Sequence, residues 1–413
     1  MSKLVDKTFE RALGVLRDNA TKFGLRTSAA YYNQIWARDS FISFLGANPL
    51  RDEGLMKLAK TTLETLGKTR SLLGQIANFY DLVTNSPEFG FSGSTDSSCW
   101  YIIGLASLFQ ASEDRELLKG PVDAALDAYR WLRYQDANNT WLVDSPQGAD
   151  WMDAAVQRSG KTLYNNILFL MATKSVEKLL SVSGRAIEGA LRLDWDELTE
   201  RFDDVFLPDS SSPGRVAKYW PTMGRLVRGT KPMNLSQEYY LQYVSFARID
   251  TRFDTLSNLL CILSGVASPK ASASILKSIR SKGLAKPYPI RNLHPPYTAE
   301  GESFDTTFNA TVAPQHRSIP YSYHNGAVWP FIGGVYVSAL YRTGAEYAAK
   351  ELENLAKANA VHRKDEKTGF NEWLHGRTGK ALGQYGQSWS AGMYIGAYLA
   401  SKGENLLKPL NAG

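Results

Sequence analysis

The stretch TLYNNILFLMATKSVEKLLS, residues 162–181, sets Leu163, Ile167, Leu170 and Met171, then Val176, Leu179 and Leu180, at three- and four-residue spacing. That period keeps side chains on one face of an α-helix, whereas a strand alternates at every second residue. The same spacing returns in LMKLAKTTLETLGK, SCWYIIGLASLFQ, DAALDAYRWLRYQ, RAIEGALRLDWDELTERF, TLSNLLCILSGV, ASILKSIRSK, AVWPFIGGVYVSALYRTG, EYAAKELENLAKANA and SWSAGMYIGAYLAS. Ten or more helices are expected, with short β pieces only around Tyr288–Asn292 and Val216–Trp220, so the chain reads as all-α.

With 413 residues, the chain is long enough for two ordinary domains or for one large toroid or barrel. Apolar residues make up 44% and charged residues 21%, and no apolar run is long enough to span a bilayer, which excludes a membrane-embedded class. The N-terminal MSKLVDKTFERALGVLRDNATKFG mixes charge with apolar residues and lacks the apolar core of a signal peptide. Cys99 and Cys261 are the only cysteines, and both stand in apolar or aromatic surroundings, which suits reduced thiols. A cytoplasmic enzyme is the expectation. The net charge of +6 is spread along the chain, with only short basic groupings such as Lys277–Lys286, so no nucleic-acid partner and no membrane partner is expected.

Long loops rich in Gly, Ser, Trp, Tyr, Asp and Asn separate the helices at residues 71–98, 138–162, 206–236, 285–325 and 364–388. Loops of this length in a compact domain carry function or are disordered, and these hold too many aromatics for disorder. Trp36, Trp100, Trp141, Trp151, Trp220, Trp329, Trp373 and Trp389 sit in or beside such segments. A ring of helices whose loops gather at one end around an aromatic pocket accounts for the pattern.

Four groups of segments share one chemistry: QIWARDS at 34–40; GQIANFY with STDSSCW between Gly74 and Trp100; GADWMD at 148–153; and the C-terminal set YSYHNGAVWP, GFNEWLHGRTGK and GQYGQSWSAG. Each places carboxylates, amides or Arg beside Trp or Tyr. A sugar offers a C–H face that stacks on aromatics and hydroxyls that pair with Asp, Glu, Asn, Gln, Arg and His, so a carbohydrate is the expected partner. No phosphate loop, GxSxG elbow or metal-ligand spacing of the five His residues appears, and the expected chemistry calls for no cofactor and no metal.

The phrases IWARDSFISFLGA, GADWMD, YHNGAVWPFIGG, GFNEWLHGRTG and QSWSAGMYIGAYLA together resemble the catalytic domain of amylo-α-1,6-glucosidases of the glycogen-debranching type. They are also similar to alkaline/neutral invertases and the wider glucoamylase-like group. The resemblance runs in order over nearly the whole chain and implies an (α/α)6 toroid, a single catalytic domain over 1–413, and hydrolysis with inversion at the anomeric carbon. It makes Asp153 the general acid and Glu372 the general base. An inverting pair stands about 6.5–9.5 Å apart, with the acid's pKa raised and the base ionised. Trp151 and Met152 would exclude water from Asp153, and His375, Arg377 or Arg38 would keep Glu372 charged. Arg38 and Asp39 resemble the pair that grips the terminal sugar, with Trp36 as floor. His324, Asn325 and Trp329 are expected to contact the sugar or wall the pocket, Asp96 and Trp100 match a further binding segment, and Trp373, Gln387 and Trp389 join the pocket set. Asp150 is open between orienting Asp153, contacting a sugar and capping a helix.

Debranching enzymes and many bacterial relatives carry further modules ahead of this domain. Such modules are not expected here, which makes a short oligosaccharide, sucrose or a small glucoside a plausible substrate beside α-glucan. The wording of WARDS, YHNGAVWP and EWLHG favours the debranching type, removing terminal glucose. The alternatives are an invertase-like sucrose hydrolase and a non-catalytic carbohydrate-binding toroid.

Overall fold

The structure, a computed structural model, describes residues 2–90, 93–154, 156, 158–187, 189–224, 238–245, 248–298, 317–366 and 368–407. Its helices are α1 (Lys3–Asp18), α2 (Ala37–Ala47), α3 (Glu53–Lys68), α4 (Thr95–Ser112), α5 (Gly120–Arg133), α6 (Leu163–Val182), α7 (Trp195–Phe206), α8 (Ser212–Tyr219), α9 (Thr255–Ser264), α10 (Pro269–Ser281), α11 (Pro330–Arg342), α12 (Ala348–Ala360) and α13 (Ser388–Ala400).

Six of them close a ring. α2 packs on α4, α4 on α6, α6 on α9, α9 on α11, α11 on α13, and α13 returns to α2. Around this ring stand α1, α3, α5, α7, α10 and α12, each packed on one or two inner helices. The sequence dictates which helix goes where. α2 has all eleven residues buried and Pro330–Leu340 of α11 are buried without a break, so these helices have no polar face to show water. In α1 only Val5, Thr8, Ala12, Val15 and Leu16 are buried, one stripe, and the charged remainder faces out. Small residues let the inner helices touch: a Cβ at Gly46 of α2 would lie 2.0 Å from the Gly392 carbonyl oxygen of α13. The fold is an (α/α)6 toroid.

Side chains fix several helix starts. Asp52, Thr162, Asp194, Asp254 and Ser268 accept a hydrogen bond from the backbone N–H three residues on, opening α3, α6, α7, α9 and α10. After α1, β1 (Ala20–Thr21) and β2 (Gly24–Leu25) pair as a small hairpin, and further short strands lead into the inner helices: β3 (Gln34–Trp36) runs into α2, β6 (Lys161–Thr162) into α6, and β9 (Phe253–Asp254) into α9. β3 pairs with β4 (Phe79–Asp81) and β4 with β5 (Ser86–Glu88); β6 pairs with β7 (Tyr243–Val244) and β7 with β8 (Ile249–Asp250); β9 pairs with β10 (Leu293–His294). These pairings stitch together the loops at the N-terminal end of the ring.

Two local expectations need correction. Residues 185–202 are not one helix, because the Asp194 cap starts α7 at Trp195 and only a 3-10 turn at Gly189–Leu191 precedes it. Val216–Trp220 is not β: Val216 lies in α8, opened by Pro213 at its first turn. The loops 206–236 and 285–325 extend into 225–237 and 299–316, outside the described residues. Near Tyr288–Asn292 the β character is a bridge from Arg291 to Val328. Cys99 and Cys261 are buried free thiols. Among the described residues no helix is long and apolar enough to cross a membrane.

Candidate active site

The inner helices run in one sense, and their first turns converge. Arg38, in the first turn of α2, is buried, and its guanidinium meets three carboxylates: Nη1 lies 2.7 Å from Asp96, Nη2 3.7 Å from Asp153, and Nε 4.0 Å from Asp39. Asp96 opens α4 and also accepts from Ser94 Oγ at 2.7 Å and from the Tyr164 hydroxyl at 3.2 Å, the latter from the start of α6. Trp100 Nε1 donates to that same hydroxyl at 2.8 Å. Arg38 and Asp39 are therefore no surface ion pair at a helix start. Burial pushes the Asp39 carboxyl up to about 7 despite the adjacent Arg38, and the Asp153 charge adds to the rise.

Asp153 sits on the loop before β6 with 35% of its side chain exposed. One oxygen faces His324 Nε2 at 3.3 Å and the other faces Arg38. Enclosure by protein raises its pKa, but the His324 hydrogen bond and the Arg38 charge outweigh that effect and hold Asp153 below the usual carboxylate range. Glu372 lies in the hairpin before α13 and is only 6% exposed. Its backbone N–H donates to the Gln384 carbonyl at 2.7 Å, and its carboxylate accepts from Gln384 N–H and the Tyr32 hydroxyl, each at 3.3 Å. Burial lifts Glu372 to about 8, and the charges of Asp39 and Asp153 add to the rise. These surroundings favour a proton on Glu372 over one on Asp153, the opposite of the order that the resemblance implies. The Arg38 charge and the His324 hydrogen bond hold Asp153, whereas Glu372 has only a backbone N–H and a hydroxyl as donors. His375 does not touch Glu372 through its Nδ1, which instead accepts from the Arg377 and Thr378 backbone N–H groups.

The tryptophans separate into two layers. Trp100, Trp151, Trp329, Trp373 and Trp389 are buried and pack on one another or on Tyr164, Phe331, His324 and Tyr323; Trp389 stacks on Phe331 at 4.2 Å, Trp329 on His324 at 5.3 Å, and Trp373 lies 6.0 Å from Tyr323. They form an aromatic layer around Tyr164 and His324, the partners of Asp96 and Asp153. Trp36 is half-buried and pairs across β3–β4 with Phe79, the rings 4.6 Å apart, so it remains a candidate floor.

Asp150 is committed elsewhere. Both of its oxygens bind Arg158, which is buried and also binds Asp254, the α9 cap, at 2.8 Å. Asp150 thus anchors the Asp153 loop to α9. Asn325 is likewise internal, bridging the Tyr297 and Ser318 backbones. Gln387 stands at the N-cap position of α13 without a side-chain capping bond, and its buried amide has no partner among the described residues.

Sequence reasoning missed Tyr32 and Tyr323. Tyr32 donates to Glu372, and Tyr323, half-buried, lies 3.9 Å ring to ring from His324 within the fields of both Asp153 and Glu372. Nothing in their spacing marks them. Tyr32 is placed by a bridge to Ser28, and Tyr323 by a left-handed backbone, φ 45°, that turns its ring toward His324.

The ring and its converging carboxylates define the class of (α/α)6 toroids with an acidic site at the N-termini of the inner helices. Solved structures with the same fold superpose on nearly the whole chain. The GH63 mannosylglycerate hydrolase from Thermus thermophilus, in complex with glucose, matches with a TM-score of 0.62 at 16% identity, covering 94% of this chain and 99% of that one. A bacterial glucoamylase complexed with acarbose matches with a TM-score of 0.60 at 12% identity, covering 98% of this chain and 57% of that one.

In sequence, residues 230–406 match the family described as alkaline and neutral invertase. A probable alkaline/neutral invertase D of Arabidopsis thaliana is 31% identical over 175 residues, 41% of this chain and 30% of that protein. The chain spans about a third of the length of the curated relatives it matches.

Proposed function

We propose that this protein is an inverting glycoside hydrolase that releases glucose from a small α-glucoside, with sucrose the first candidate. The observation that carries the reading is the pair of carboxylates, Asp153 and Glu372, which come from distant parts of the chain, feel each other's charge, and sit in surroundings that push their pKa values in opposite directions. Two titratable groups whose surroundings push their pKa values apart are what acid/base catalysis of glycoside cleavage requires. Arg38, Asp39 and Trp36 would bind the terminal sugar, with Tyr32 and Tyr323 beside the reacting centre. The invertase likeness over 230–406, which includes Glu372, favours sucrose. A second reading, an amylo-1,6-glucosidase-type activity on short α-glucans, rests on the WARDS, YHNGAVWP and EWLHG phrases.

The resemblance assigns the acid to Asp153 and the base to Glu372. For Asp153 to act so, the proton must transfer from Glu372 to Asp153 when substrate displaces water, leaving Glu372 ionised to activate the attacking water on the opposite face of the ring. The surroundings of the two carboxylates favour the reverse assignment, and one experiment separates the two. Sucrose, isomaltose, panose, limit dextrin and mannosylglycerate are incubated with wild type, Asp153→Asn and Glu372→Gln. Each variant should lose turnover by orders of magnitude. Glucosyl fluoride, whose leaving group needs no proton, should restore activity only to the variant lacking the acid. No release from any sugar by wild type overturns the proposal.

A further inference from the structure

The contact between His324 and Asp153 is built from several sides. His324 is buried, its ring parallel to Trp329 at 1° and 5.3 Å, edge-on to Trp151 at 5.2 Å, and against Tyr323 at 3.9 Å. Its Nε2 faces Asp153 at 3.3 Å, while its Nδ1 is buried with no hydrogen-bond partner among the described residues. Burial keeps the imidazole neutral, with its pKa below the ordinary value. A neutral ring carries one proton, and the nitrogen facing a carboxylate holds it, since a lone pair there would repel the anion. The loop that presents His324 is contorted, with Tyr321 at φ 69° and Tyr323 at φ 45°, a region that tyrosine visits only under constraint.

We propose that His324 is a positioning residue for Asp153: its Nε2–H, clamped by the Trp329 stack, fixes the carboxylate's orientation and keeps it anionic, and so sets which of the two site carboxylates carries the proton. This inference rests on the glycosidase reading for its catalytic meaning but not for its geometry. The charged and titratable groups facing the pair are Arg38 and Asp39 from α2, Glu372 from the hairpin before α13, Tyr32 and Tyr323 from their loops, and Arg158 behind His324. Of these, Arg38 alone also pairs with Asp153, at the longer distance of 3.7 Å.

Three variants test it: His324→Phe keeps a ring against Trp329 but deletes the donor, His324→Gln places an amide N–H where Nε2 stands, and His324→Asn places it at Nδ1 instead. The readout is the carboxyl 13C titration of Asp-labelled protein, with the Asp153 signal identified by its loss in Asp153→Asn. In His324→Phe and His324→Asn the Asp153 midpoint should rise by about one pH unit, the worth of one hydrogen bond to a charged group. In His324→Gln it should stay near wild type. Unchanged midpoints in folded His324→Phe and His324→Asn, or an equal rise in all three variants, overturn the inference, whatever the protein hydrolyses. Where sugar release is measurable, the limb of the kcat/KM profile set by Asp153 should move with the same pattern. Wild type that hydrolyses no sugar would defeat the functional reading and leave the titration result standing.

Discussion

Replacing Arg38 by Met, which fills a similar volume without charge, tests whether the guanidinium organises the site. Asp96 has no exposed surface and would lose its 2.7 Å partner, keeping only the neutral donors Ser94 and Tyr164. Stranding a buried charge by removing its partner costs about 3–5 kcal/mol, and two remaining hydrogen bonds place this case near the lower end, about 3 kcal/mol. The 3.7 Å contact to the part-exposed Asp153 adds little to stability. Unfolding entropy scales to about 0.9 kcal/mol per kelvin for a chain of this length, so thermal unfolding followed by circular dichroism should show the midpoint falling by about 3–4 °C. The Arg38→Met/Asp96→Asn double variant removes the stranded charge and should regain most of that loss. Arg38→Lys keeps the charge but not the planar fork that spans Asp96 and Asp153, and should fall between wild type and Arg38→Met. A midpoint lowered by less than about 1 °C in Arg38→Met, or no recovery in the double variant, would refute the view that Arg38 and Asp96 form a coupled buried pair.

Glu372 and Asp39, raised to about 8 and about 7, bind protons more tightly folded than unfolded. Their stabilising effect is therefore complete below about pH 4, the range of the free carboxyls, and drains away as the pH rises toward 8. Thermal midpoints measured from pH 5 to 8 should decline in wild type and decline less in Glu372→Gln; a parallel slope would contradict burial of a protonated Glu372. Gly46→Ala should destabilise the ring by about 3 kcal/mol or more, because the new methyl meets the backbone of α13, which cannot step aside as a side chain could. A urea titration showing less than about 1 kcal/mol of loss would mean that α2 and α13 approach less closely than described.

The outer helices were legible because one face must be apolar and the other polar, as in α3 and α12. α2 was harder: buried on every side, it shows no stripe, and its sequence ARDSFISFLGA reads as a polar motif followed by an apolar run. The stretch 185–194 misleads because its apolar residues keep helical spacing, while capping by Asp194 restricts the helix to Trp195 and beyond. In the site, the ionisable side chains Arg38, Asp153, His324 and Glu372 were visible as motif residues. The layering of the tryptophans was not, since a Trp that supports a site and one that lines it have the same sequence neighbours. Tyr32 and Tyr323 were invisible for a different reason: a β-bridge and a left-handed turn place them, and neither has a periodic signal. The protonation pattern was also beyond reach, because it arises from Arg38 and His324 meeting Asp153 across the fold.

The central claim is tested most directly by the anomeric form of the first glucose released from an α-glucoside such as sucrose or isomaltose, followed by proton NMR before mutarotation scrambles it. Direct attack by water opposite the leaving group predicts β-glucose at the earliest times, decaying toward the equilibrium mixture. Early α-glucose would show retention and contradict the assignment of Asp153 and Glu372 as an inverting pair.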